Sequence, residues 1–162
     1  MRQLIAVLLL CVCAPVSATP PRSAYRLSAT LDPVQHRVDG QARIEFVNAS
    51  QRAVSELYFH LYPNAFENDR TVFMREGGGK IRGKTLARRG RIELLRLTSD
   101  DGADLLAGAN RELVPGDHTQ LRVPLPRPVQ PGERLGLSAR FRTTLPEIVA
   151  RSGYAGSFAS SS

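Results

Sequence analysis

Apolar and polar positions alternate with a period of two through most of the chain. Tyr25, Leu27, Ala29 and Leu31 alternate with Arg26, Ser28 and Thr30, which predicts a half-buried strand. Asp32-Pro33 then turns the chain. Val38, Gly40, Ala42, Ile44 and Phe46 alternate with Arg37, Asp39, Gln41, Arg43 and Glu45, a second strand whose Gly40 marks a bulge or a close backbone approach. Beyond the polar turn at residues 48–52, a third strand is expected over residues 54–62. In it Leu57, Phe59 and Leu61 face one way, and Tyr58, His60 and Tyr62 the other. Pro63 cannot donate to a sheet ladder and ends the strand, and Asn64 suits a turn.

Residues 63–90 then read as one long loop containing Gly77-Gly78-Gly79. Loops above ~15 residues without structure of their own are mostly functional or disordered. Within this loop Thr71-Val72-Phe73-Met74 makes a poor strand. Strand pattern resumes over residues 91–98, turns at residues 99–102, and returns weakly over residues 112–114. Leu121, Val123 and Leu125 alternate again, residues 126–133 form a proline-rich connection, and Leu135, Leu137, Ala139 and Phe141 open a last strand reaching Thr143. Thr144-Leu145-Pro146-Glu147 fits a capping box that opens a single helical turn. About seven short strands, with turn signals between them and no long amphipathic helix, predict an all-β fold, an antiparallel β-sandwich. Residues 151–158 still read as structured chain and Ala159-Ser160-Ser161-Ser162 follows without a closing strand, so the sandwich is expected to be incomplete at its C-terminal side.

Residues 1–18 have the plan of a secretory signal: Arg2, an apolar run over residues 4–12, and Val16-Ser17-Ala18 as the small-residue cleavage site. Cleavage after Ala18 leaves residues 19–162 as one domain, exported to a periplasmic or extracellular space. The apolar run is shorter than the ~20 residues a bilayer needs, so no membrane span is expected. Cys11 and Cys13 both lie in the leader, which leaves the mature chain without a disulfide or a thiolate metal site. Leu8-Leu9-Leu10 ahead of Cys11 argue against lipidation.

The formal charge of the whole chain is +7. Residues 75–91 carry Arg75, Lys80, Arg82, Lys84, Arg88, Arg89 and Arg91 against Glu76 alone, so this stretch accounts for all the net charge left once Arg2 is gone. Lys80, Arg82, Lys84, Arg88 and Arg89 are the candidate anion-binding residues. The cluster lacks interleaved aromatic residues for base stacking, and no nucleic-acid partner is expected. Gly78-Gly79-Lys80-Ile81-Arg82-Gly83-Lys84-Thr85 matches the phosphate-loop spacing, yet it lacks the buried strand before it and the helix after it that such a loop requires.

His36, His60 and His118 show no metal-ligand spacing, so no metal site is assigned to this chain. No G-x-S-x-G elbow is present, and Asp100 and Asp101 sit in a turn that accounts for them. Asn48-Ala49-Ser50 matches a glycosylation acceptor. Nothing assembles a nucleophile, a base and an oxyanion site, so no catalytic residue is assigned and the chain is expected to be inactive alone.

Leu57-Tyr58-Phe59-His60-Leu61-Tyr62-Pro63-Asn64-Ala65-Phe66 resembles a segment of the N-terminal domain of the aminopeptidase N family of zinc metallopeptidases, in its secreted bacterial form. Tyr25 to Asp32 with His36-Arg37-Val38-Asp39-Gly40 resembles the family's opening strand pair. Phe73-Met74-Arg75-Glu76, Pro131-Gly132-Glu133 and Leu145-Pro146 fall where the family has similar short motifs. The resemblance implies an N-terminal β-sandwich packed against a thermolysin-like catalytic domain, which binds zinc through H-E-x-x-H and a later Glu. None of those residues stands in this sequence, so zinc and peptide substrate belong to the full-length protein. On this reading Tyr58, His60 and Tyr62 form the contact with the catalytic domain, since polar-tipped aromatics suit interfaces. The alternative is a free-standing exported binding module that uses the basic loop of residues 63–90.

Overall fold

The computed structural model describes residues 23–78, 80, 85, 87–147 and 153–154. The predicted leader lies outside them, as does the chain after Tyr154. The described chain is all-β with antiparallel pairing between its strands, which are β1 (Ser23–Asp32), β2 (Arg37–Val47), β3 (Val54–His60), β4 (Arg91–Ser99), β5 (Gln120–Val129) and β6 (Arg134–Thr144). One sheet has the order β1-β2-β6-β4 and the other consists of β3 and β5.

Both sheets feed one apolar cluster. Ile44, Leu94, Leu97, Leu137 and Ala139 come from the larger sheet, Leu121 and Val123 from β5, with Leu57 and Phe59 of β3 packed against them. Period-two alternation builds this cluster, because opposed residues of neighbouring strands point to the same face. Leu27 is in register with Ala42, Ala42 with Ala139, and Ala139 with Leu97. Gly40 is the close approach anticipated from its place within a strand. A Cβ there would collide with the Phe141 ring, so Phe141 packs directly over the β2 backbone.

The expected half-burial of β1 does not hold. Its apolar residues do turn toward the core side, yet Tyr25 is 60% exposed and Leu27 67%. The reason is unequal layers: a sheet of two strands cannot cover a sheet of four, and β1 is the strand left over.

Several boundaries also differ from the sequence reading. The third strand ends at His60, and Tyr62–Phe66 forms a single 3₁₀ turn with Pro63 in its first turn. A short helix α1 (Val72–Glu76) replaces both the poor strand and part of the structureless loop. Thr71 caps it by accepting from the Met74 amide at 3.2 Å, and Met74 is fully buried. The capping side chain and one anchoring apolar residue outweigh the β-favouring Val72 and Phe73. Residues 112–114 form no strand; Val114 is exposed and bridges to Asp117 around Gly116, whose φ is 76°. β5 runs on through Pro126 and Pro128, where a connection was expected. A two-stranded sheet consists of edges, and edge strands tolerate missing amide donors. Thr144 ends β6 and Glu147 bridges to Tyr154, so residues 144–147 of the capping-box pattern are not helical, and residues 148–152 lie outside the described residues.

Leu97 is fully buried, and Leu97→Ala is expected to lower the free energy of unfolding by about 2–5 kcal/mol in urea melts. Leu27→Ala, on the uncovered strand, should cost less than about 1 kcal/mol. Equal losses at the two positions would contradict the layer assignment.

Candidate functional site

The β3 alternation buries one row of side chains and presents the other. Phe59 and Leu57 pack on the core, whereas Tyr58 is 51% exposed and His60 is also exposed. Tyr62 stays on this side although it has left the strand, because the 3₁₀ turn brings its ring over His60. The two rings stack with centroids 5.3 Å apart and planes 7° from parallel. The Tyr58 hydroxyl donates to Glu56 Oε1 at 2.7 Å. That hydrogen bond is the main cause that raises the phenol above its ordinary pKa, with desolvation and the Glu56 charge acting in the same direction. Thus the structure brings all three predicted contact residues together as one exposed aromatic row.

The same edge of β3 walls a groove of about 540 Å³. Its apolar lining is Tyr25, Ile44, Phe46, Leu57, Phe59 and Leu137, and Tyr58 and His60 stand at its side. Among the described residues β3 pairs with β5 alone, so its groove-side edge has no strand against it. No protein-family profile matches this chain, and no curated protein matches it.

The basic loop is less uniform than its sequence. Lys80 and Arg88 are exposed. Arg89 is tied down, donating from Nη2 to Asp69 Oδ1 at 2.7 Å. The Arg88 carbonyl accepts from the Glu147 amide at 3.3 Å, which attaches the end of the loop to the segment after β6. Arg82 and Lys84 lie outside the described residues, as do Gly79, Ile81 and Gly83 of the phosphate-loop match. The chain before that match is α1, ending at Glu76 with Gly77 as its C-cap, and not the strand a phosphate loop follows.

The histidines are dispersed. His36 occupies the β1–β2 turn with a φ of 51° and stacks on Tyr154 at 3.5 Å. His118 Nδ1 lies 2.8 Å from Oε2 of Glu67, the residue that follows the 3₁₀ turn. Among the described residues no group of three or more His, Cys, Asp or Glu could hold a metal ion. These residues do not fit the zinc that the resemblance implies for a later domain.

Three buried polar residues carry roles that the sequence did not announce. Asn48 is 1% exposed and donates to the Arg52 carbonyl at 2.7 Å and the Val129 carbonyl at 2.8 Å, so the acceptor side chain of the glycosylation pattern is inside the fold. Asn64 does more than turn the chain. It donates to the His118 carbonyl at 2.8 Å and accepts from the Ile92 amide at 2.7 Å, pinning the turn after β3 to the start of β4. Asp117 accepts from the Val72 amide at 2.8 Å and the Thr119 amide at 2.9 Å, linking α1 to the entry of β5. Burial pushes the Asp117 carboxyl up, but the Thr119 hydroxyl, the two amides and His118 together outweigh it and leave the pKa lowered. The only hint in the sequence was Asp117-His118-Thr119, an Asx-type spacing.

A lowered folded-state pKa makes the Asp117 contribution present above the ordinary carboxylate value of 3.8 and lost as pH falls through the folded value. Asp117→Asn should therefore destabilise by about 1–3 kcal/mol at neutral pH. The gap to wild type in denaturant melts should stay flat down to about pH 5 and narrow in stronger acid. A gap that widens in acid would refute the assignment.

Proposed function

We propose that the chain is the non-catalytic N-terminal module of an exported zinc-dependent aminopeptidase, a β-sandwich that braces the thermolysin-like catalytic domain and walls its substrate channel. The observation that carries this reading is the uncovered apolar groove between β1–β2 and the edge of β3, flanked by Tyr58 and His60. Single exposed apolar residues are ordinary on a protein surface, but a contiguous apolar patch beside an open strand edge is the mark of an interaction site. The resemblance of residues 57–66 supplies the identity of the partner, and the outward set of Tyr58, His60 and Tyr62 supports their role at the contact. Aromatic side chains with polar tips are enriched in such interfaces. Zinc and the peptide substrate are held by the catalytic domain of the full-length protein. Among the described residues no helix is long and apolar enough to cross a membrane.

A second reading, a free-standing exported binding module that uses residues 63–90, draws on the exposure of Lys80 and Arg88. The attachment of Arg89 to Asp69 reduces the charge that loop can offer.

The discriminating experiment is to read the genomic DNA beyond codon 162 in all frames. The aminopeptidase reading expects an aromatic-proline stretch and then H-E-x-x-H. A stop followed by unrelated sequence in every frame would sink it and bring the binding module forward. At the protein level, Tyr25→Asp, in the exposed lining of the groove, should cut the fluorescence of an apolar dye bound to the chain while leaving its melting temperature within about 4 °C. Undiminished dye binding would show that the groove is not the sticky surface.

A further inference from the structure

The outer face of the four-stranded sheet gathers arginines that the sequence scatters. Arg26 stands opposite Arg43, Arg140 opposite Gln41, and Arg96 opposite Arg140, so β1, β6 and β4 each send a guanidinium to the same side. Together with Ser28, Thr98 and Ser138 they line a concavity of about 440 Å³. That is the size of a small-molecule site, ~300–1,000 Å³.

The charges there are uncompensated. All aspartates and glutamates of the chain fall within the described residues. None of the ion pairs among the described residues includes Arg26, Arg96 or Arg140. Of the carboxylates on this face, Glu45 lies beside Arg26 and Arg43, away from Arg96 and Arg140, and two others are already committed. Asp100 receives two hydrogen bonds from Arg43, one at 2.6 Å, and Asp39 holds Arg142 at 2.7 Å and Arg37 at 2.9 Å. Like charges directly opposite each other in an antiparallel pair are destabilising, and Arg96 and Arg140 are such a pair. A bound anion relieves that repulsion.

We propose that this face binds a small oligophosphate, with Arg96 and Arg140 clamping one phosphate and Arg26 taking a second anionic group. Guanidiniums on neighbouring strands stand ~5 Å apart at Cβ and can converge on one group. A carboxylate offers two oxygens, enough for one bidentate fork, whereas a terminal phosphate offers three and up to two charges. Arg26 lies two strands across and two residues along from Arg140, ~12 Å in all, which matches the next anionic group and not the same one. The hydroxyls of Ser28, Thr98 and Ser138 supply further donors between these positions. The inference is independent of the aminopeptidase reading.

Inorganic pyrophosphate titrated calorimetrically into the full chain at low ionic strength tests it. Saturable binding is expected, weakened at least about tenfold by Arg96→Gln or by Arg140→Gln, and changed less than about twofold by Arg88→Gln in the basic loop. Pyrophosphate should also raise the melting temperature of wild type but not of the Arg96→Gln variant. Without ligand that variant should melt at or above wild type, because its loss removes a repulsion. No saturable binding, equal binding by the variants, or citrate binding as tightly as pyrophosphate would each overturn the proposal. A parallel arm with vesicles containing phosphatidic acid assigns the source. Retention that pyrophosphate releases identifies a membrane headgroup, and absence of retention identifies a soluble phosphate.

Discussion

The register of β6 between β2 and β4 is the constraint on which the rest of the structure depends. Ala139 opposite Ala42 and Leu97, and Leu137 opposite Ile44, place one set of side chains in the core. The same alignment places Arg140 opposite Gln41 and Arg96 on the other face. A slip of one residue would exchange the two sets and bury guanidiniums in place of leucines. Burial of an unpaired charge is costly enough that no alternative register competes. Core and charged face are therefore two readings of one alignment.

Above that sheet the second layer is narrower, and the mismatch shapes the surface. Where β3 and β5 lie over the sheet, Leu121, Val123 and Leu97 are sealed from solvent. Where they do not, β1 carries Tyr25 and Leu27 in the open with the same orientation as the buried residues beside them. Buried polar side chains do the joining around this core. Asn48 fastens the β2–β3 turn to the end of β5, Asn64 fastens the turn after β3 to β4, and Asp117 fastens α1 to the approach of β5. Each satisfies backbone groups that burial would otherwise leave without partners.

Period-two alternation made the all-β class, most strand positions and the inward row of β3 legible in the sequence, since alternation is a local property. What it could not convey was which strand lies over which. The exposure of Leu27 follows from the number of strands in the opposite layer, and no pattern within residues 23–32 encodes that number. Pro126 and Pro128 read as a connection because proline is excluded from central strands, and only the topology reveals that β5 has edges on both sides. The aromatic row of Tyr58, His60 and Tyr62 was visible because it is contiguous. The cluster of Arg26, Arg96 and Arg140 was not, because its members come from three strands far apart in the chain. Counting charge along the sequence assigned all net basicity to residues 75–91, while the sheet concentrates charge elsewhere by engaging Asp39 and Asp100 with Arg37, Arg43 and Arg142.

The central place of β6 also sets an order of events in time. β2 finds its second neighbour, and β4 its only one in that sheet, when Arg134–Thr144 becomes available. A chain delivered N-terminus first, from a ribosome or through a membrane pore, exposes β1 and β2 as a lone hairpin until nearly all of the described chain has emerged. A two-stranded hairpin is marginal in water, and pairing across so long a separation is slow because the intervening loop must close first. Such a chain completes its larger sheet only when its last strand arrives.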